Sequence, residues 1–381
     1  MTQGVLVPEA HGIAPETAQL SRFETLDGMR GLAAVAVLLL HLNWLVYRTW
    51  YPHHAFMAVD LFFGLSGFVL AHSYDKRMED GLTVRKFMLL RARRLFPLYY
   101  VGLFISILSI PLSRLHGTLQ WCITIVSSLF LLPGAFPGDT FPLNGPSWSL
   151  CFEFWVANLF YALFGRQLRG WRLSVFLAIT FALLAVSVFQ AGSIGIGWDY
   201  GTILYGIPRT LFSFFAGVFA ARYYKSNKPK FRVPPAVILL AVLAVLCEDW
   251  AVGVEAFELL SVLLIFPVLL YFGAGADRRH SPFLEWMGDA SYAVYAIHVP
   301  IVLDLLAFSR FHQFPRGSRV AGFALAILFM ILASLLHRFY DLPVRRWIAR
   351  KWPIETRRES NQGHRELIVS PTMGQGVQET P

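Results

Sequence analysis

Charge is scarce in this 381-residue sequence: Asp, Glu, Lys and Arg make up 15% of it, against 56% hydrophobic residues. A soluble globular domain carries about 25% charged residues, so the deficit excludes an ordinary water-soluble fold and points to the bilayer. Acid is the scarcer sign, with 24 acidic residues against 33 basic ones. No basic run interleaved with aromatics accompanies the excess, which excludes a nucleic-acid surface; in a membrane protein the surplus belongs in cytoplasmic loops. Cysteine is rarer still. Cys122, Cys151 and Cys247 sit in or beside apolar segments, too few and too scattered for a disulfide framework or a metal site. The first twenty residues lack a basic stretch followed by an apolar core. No cleavable signal is expected there, and the first apolar helix is expected to act as the anchor.

Long apolar runs are what the sequence does have. About 20 mostly apolar residues are needed to span a bilayer. Eleven candidates fall near 29–47, 55–74, 95–113, 119–136, 147–165, 172–191, 202–222, 233–249, 256–274, 289–308 and 319–338. No internal repeat or soluble domain is evident. The basic stretches "DKRMEDGLTVRKFMLLRARR" (75–94), "KSNKPKFR" (225–232) and "RRWIARK" (345–351) are expected in the cytoplasm, and the acidic "CEDWAVGVE" (247–255) outside. Both termini are then cytoplasmic, which requires an even number of crossings. Two basic loops, 75–94 and "GRQLRGWR" (165–172), also share a side although three segments separate them. One of 95–113, 119–136 and 147–165 is therefore expected not to cross. The reading is an all-α, polytopic membrane helix bundle of about ten spans plus one re-entrant segment, entered near the Pro/Gly-rich "PGAFPGDTFPLNGPSW". It occupies residues 23–350, between a flexible cytoplasmic segment (1–22) and a disordered cytoplasmic tail (351–381).

Several side chains do not belong among lipid tails, where an ionisable group costs several kcal/mol. In "LDGMRGLAAVAVLLLHLNW", Arg30 and His41 are eleven residues apart. That is three helical turns with about 20° left over, so both share one stripe about 16 Å apart. Alone, Arg30 reads as an interface anchor and His41 as a structural histidine; together they read as the wall of a ligand cavity. Asp60 sits in "AVDLFFGLSGFVLAH" and requires a partner. The neighbouring "GLSG" is not a nucleophile elbow, because Phe68 stands where the last glycine belongs, so Ser66 is not expected to be a nucleophile. Arg91 and Arg94 share a helix face in "RARRLFPLYY", and guanidinium forks suit phosphates, although basic helix ends are routine in membrane proteins. Glu153 lies in uncharged "NGPSWSLCFEFWVANLFY" beside Trp148, where a carboxylate can orient a histidine or exchange a proton, or simply pair with Arg209. Tyr292, Tyr295 and His298 follow one another at helical spacing in "GDASYAVYAIHVP".

In order, "LDGMRGLAAVAVLLLH", "VDLFFGLSGFVL", "RARRLFPLYY", "PSWSLCFEFW", "GDASYAVYAIH" and "YDLPVRRW" resemble the acyltransferase-3 family of integral membrane O-acyltransferases, over about Leu26 to Trp347. The resemblance implies transfer of an acyl group, most often acetyl, from cytoplasmic acyl-CoA to a hydroxyl of a cell-envelope or exported carbohydrate, in a bacterial inner membrane. Acyl-CoA is then a donor substrate, and no permanently bound cofactor is implied. The family's Arg–His pair falls on Arg30 and His41, its arginine pair on Arg91 and Arg94, and its membrane glutamate on Glu153. Joined to the physical reading, this sets Arg30, Arg91 and Arg94 toward the donor and His41 in catalysis, with Glu153 or Asp60 orienting it; Trp148, Tyr295 and His298 are candidates for substrate contact. Asp341 stands where many members carry glutamate. Some members continue into an SGNH hydrolase-like domain; this chain is expected to act alone or with a partner. The alternative is a transporter or flippase of a glycan or lipid-linked substrate, against which stands the absence of paired Gly/Pro-broken helices in corresponding halves. A catalytically silent scaffold would have no use for these buried ionisable side chains.

Overall fold

The computed structural model describes residues 22–46, 50–109, 118–134, 140–249, 253–276, 280–309 and 318–354, and no strand occurs among them. The expected flexible ends lie outside the described residues, apart from Arg22 and residues 351–354. Eleven helices follow in order: α1 (Glu24–Leu45), α2 (Ala58–Glu79), α3 (Val84–Leu108), α4 (Thr118–Leu129), α5 (147–164), α6 (Trp171–Ala191), α7 (Gly206–Ser226), α8 (Pro235–Cys247), α9 (Val254–Ala274), α10 (Pro282–Ser309) and α11 (Arg319–Lys351). Local signals set several boundaries. The Thr83 hydroxyl accepts the Lys86 N–H at 3.3 Å and caps α3. Pro235 opens α8, and Gly192 closes α6 in the left-handed region at φ 76°.

Among the described residues seven helical stretches are long and apolar enough to cross a membrane. The apolar-run reading begins the third segment at 95, whereas the helix begins at Val84, because the Thr83 cap nucleates three charged turns that a hydropathy window rejects. In the same way α10 starts at Pro282 and α11 runs on to Lys351. The fourth and eighth segments are shorter than their apolar runs: α4 has 12 residues and α8 has 13, about 18–20 Å of helix each.

α1 and α2 are mostly buried at the centre, while α6 and α11 show mostly apolar, exposed surface, such as Ile179, Phe189, Ile327 and Leu328. In water that surface would aggregate; against acyl chains it is solvated. The tightest packing is between α2 and α7. A Cβ on Gly67 would overlap the carbonyl of Phe214, and one on Gly217 the carbonyl of Gly64, so glycine alone permits this approach.

Residue register fixes the relative sense of the helices. Gly28 lies against Leu284, Gly31 against Met287 and His41 against His298, so α1 and α10 run parallel. Asp60 meets Arg209 and Gly67 meets Phe214 and Val218, so α2 and α7 also run parallel. Strict alternation of eleven helices would make both pairs antiparallel. The alternation is therefore broken between α2 and α7. The last carbonyls of α4 end at mid-height: those of Ser128, Leu129 and Phe130 accept from Tyr99 Oη at 2.6 Å, Tyr100 Oη at 2.9 Å and Trp155 Nε1 at 2.9 Å, all within α3 and α5. Leu131 then turns at φ 57°, and the Gly134 N–H reaches the Thr140 carbonyl at 2.7 Å.

Candidate active site

A cavity of about 440 Å³ opens between α1, α2, α3, α5 and α10. Arg30, Arg91, Arg94, Glu153 and Tyr295 all line it; His41, Asp60, Trp148 and His298 do not.

The three arginines differ in how far they are committed. Arg30 donates from Nε to Ser291 Oγ at 2.9 Å and from Nη2 to Asp27 Oδ1 at 2.9 Å and the Gly288 carbonyl at 2.8 Å, which ties α1 to α10 and aims the guanidinium. Arg91 donates from Nη2 to Glu153 Oε1 at 3.0 Å, and Ser66 Oγ donates to the same oxygen at 2.6 Å. Glu153 lies on a π-helical stretch, Phe152–Asn158, a form of helix common at functional sites. Arg94, one turn along α3 from Arg91, is exposed and makes no hydrogen bond or ion pair among the described residues. At the cavity rim Arg22 binds Asp27 at 2.6 Å, Glu285 at 2.5 Å and Asp289 at 2.7 Å.

His41 faces α10, as Arg30 does, but lies beyond the cavity. Its Nδ1 is 2.8 Å from the Val37 carbonyl and 3.2 Å from His298 Nε2. Its ring meets Trp44 edge-on, with centroids 4.7 Å apart. Tyr295 stands between the cavity and this pair, with its hydroxyl 2.6 Å from Ser149 Oγ and its ring 5.8 Å from that of His298. The sequence offers His298 only as a possible substrate contact. That His41 needs a partner was legible, but which residue meets it depends on the α1–α10 register.

Neither carboxylate contacts His41. Asp60 is held by Arg209, whose Nη2 donates at 2.7 Å and Nε at 3.1 and 3.2 Å, and by Ser213 Oγ at 3.1 Å. Arg209 also donates to the carbonyls of Ile196 and Phe56, and the Trp148 ring lies 5.3 Å from its guanidinium carbon. The possible Glu153–Arg209 pair therefore does not form; each acid has a different arginine. Asp341, fully buried, binds Arg345 at 2.5 Å and His337 at 3.0 Å. Among the described residues no three His, Cys, Asp or Glu side chains converge as a metal site would require.

A helical bundle with several membrane-length apolar helices and an arginine-lined cavity defines a polytopic membrane protein. The chain belongs to the acyltransferase-3 family: residues 23–338 match its acyltransferase domain. Relatives include the peptidoglycan O-acetyltransferase OatA of Listeria monocytogenes, 27% identical over 354 residues, which cover 84% of this chain and 56% of OatA. The putative peptidoglycan O-acetyltransferase YrhL of Bacillus subtilis is 25% identical over 358 residues, 84% of this chain and 54% of YrhL. "Protein 2 in picA locus" of Rhizobium radiobacter is 35% identical over 189 residues, 44% of this chain and 96% of that protein. This chain spans only about half the length of the two O-acetyltransferases. No solved structure matches it.

Proposed function

We propose that this membrane O-acyltransferase takes its acyl group, acetyl in the simplest case, from cytoplasmic acyl-CoA and delivers it to a hydroxyl of a cell-envelope or exported carbohydrate. The observation that carries this reading is the separation of two kinds of chemistry along α1. Arg30, Arg91 and Arg94 share a cavity at one level, where phosphates would be held bidentately. His41 is three turns further along. In the proposed reaction His41 Nε2 takes the proton of the acceptor hydroxyl as its oxygen attacks the thioester carbonyl. The carbon–sulfur bond then breaks, and the leaving thiolate recovers the proton from His41. Tyr295 lies on the path between donor cavity and base, so the thioester would pass beside its ring.

The reading includes a topology: ten helices cross a bacterial inner membrane, both termini are cytoplasmic, and α4 enters from the outer face and returns. The parallel α1–α10 and α2–α7 pairs and the mid-height end of α4 support it. The partners would then be the lipid bilayer, the acyl donor and the acceptor glycan.

The test is transfer from radiolabelled acetyl-CoA to a pool of cell-envelope glycans by purified protein in liposomes. Wild type should label an acceptor, and His41→Ala should lower the rate by about 10²–10⁴ while still inserting and folding. Unchanged transfer by His41→Ala would return His41 to a structural role. No labelling with any acyl donor would favour a transporter of a glycan or lipid-linked substrate.

A further inference from the structure

Resting on the acyl-transfer reading, we infer that His298 is a positioning residue that fixes the tautomer of His41, leaving Nε2 of His41 as the free basic nitrogen. His298 Nδ1 lies 3.0 Å from the Val294 carbonyl and 3.0 Å from the Tyr295 carbonyl. Carbonyl oxygens only accept, so Nδ1 of His298 carries the hydrogen. In the neutral ring Nε2 of His298 is then an acceptor. It faces Nδ1 of His41 at 3.2 Å, and the other group at that nitrogen is the Val37 carbonyl at 2.8 Å. Both neighbours of His41 Nδ1 are acceptors, so this nitrogen must carry its hydrogen too. The only nitrogen of the pair that can accept a proton from outside is Nε2 of His41.

The geometry differs from a serine-hydrolase triad in one respect. There a buried carboxylate orders the imidazole and stabilises its cation. Here the two candidate acids, Asp60 and Glu153, are held by Arg209 and Arg91. No charged side chain among the described residues bonds either ring. His298 is 1% exposed and its Nδ1 is held by two carbonyls of its own helix, so Nε2 is the nitrogen it presents to α1. It sets the tautomer through a neutral hydrogen bond and exchanges no proton itself. The acceptor proton reaches His41 Nε2, and the same nitrogen returns it to the thiolate.

Two measurements test this. In the transfer assay His298→Leu should lower kcat by about 10²–10⁴. KM for the acyl donor should stay within about threefold, since the cavity arginines are untouched. His298→Gln, whose amide oxygen can take the position of Nε2 and accept from His41, should recover about tenfold over the leucine variant, the worth of one hydrogen bond. Separately, ¹⁵N-histidine NMR of the full chain in lipid nanodiscs, with His41 assigned by its loss in His41→Asn, should show a protonated Nδ1 and a bare Nε2. In His298→Gln that tautomer should persist. A wild-type His41 protonated on Nε2 would overturn the inference, as would wild-type kcat in His298→Leu. Equal loss in the leucine and glutamine variants with the tautomer intact would also overturn it, since only a packing role would remain. If wild type itself transfers nothing, the functional reading falls, and the spectrum still decides the tautomer.

Discussion

Arg209 is the largest fully buried side chain among the described residues, and its charge is tolerable only because Asp60 meets it with three short contacts. Removing one partner strands the other. Asp60→Leu should cost about 3–5 kcal/mol, read as a lowered thermal unfolding midpoint in detergent, and adding Arg209→Met should recover most of the loss. Arg94 is the opposite case. It has no partner to strand, so Arg94→Ala should leave stability unchanged and raise KM for the acyl donor by about tenfold with little change in kcat, a loss of one charge-assisted contact. At this scale the sequence exposes which residues need an explanation but not how they pair. Asp60 and Glu153 each call for a cation from their apolar surroundings. That Arg209 answers the first and Arg91 the second is a matter of interhelical register, which periodicity along one helix cannot reveal. The His41–His298 contact was hidden for the same reason.

Among the elements, the α2–α7 pair and α4 carry the sharpest consequences. Gly217→Ala would force a methyl into the Gly64 carbonyl and push the helices apart, at about 2–3 kcal/mol or more in stability. Gly145→Ala, with nothing within 4 Å, is the neutral control. If α4 dips and returns, cysteines at 119 and 145 in a cysteine-free background will react with a membrane-impermeant thiol reagent from the same side of sealed vesicles. Labelling from opposite sides would make α4 a crossing helix. Each of the eleven apolar runs corresponds to a helix, because hydrophobic length is a property of the run itself. The length of α4 was not legible: its run continues to 136, but the helix ends at Leu129, where Tyr99, Tyr100 and Trp155 satisfy the carbonyls of residues 128–130.

Over the whole molecule, the loop between α1 and α2 is joined to the ends of α8 and α9 through His54. Its Nε2 lies 3.1 Å from Glu248 and its Nδ1 3.6 Å from buried Glu258, which Ser193 and the Ile194 N–H also hold. The buried Glu258 carboxylate 3.6 Å away, with the hydrogen bond and charge of Glu248, holds the His54 imidazolium above the ordinary histidine value of 6.5. A raised native value means that the stabilisation is complete below about 6.5 and is lost as pH climbs through the raised value. The thermal midpoint should therefore fall as pH rises from about 6 into the alkaline range, and His54→Asn should flatten that slope. The link of Glu248 in acidic "CEDWAVGVE" to His54 was not legible, because it depends on which loops the helices bring together.

The eleven-residue spacing of Arg30 and His41 has a vectorial consequence for the proposed reaction. The carrier's bulky nucleotide stays at the level of the arginines, and only its slender acyl-bearing arm need travel inward. The free thiol then backs out the way it came, while the new ester forms near the opposite end of α1. Acyl groups would accumulate on one side of the bilayer although neither donor nor acceptor ever changes sides, with the gradient maintained by thioester cleavage rather than by a pump.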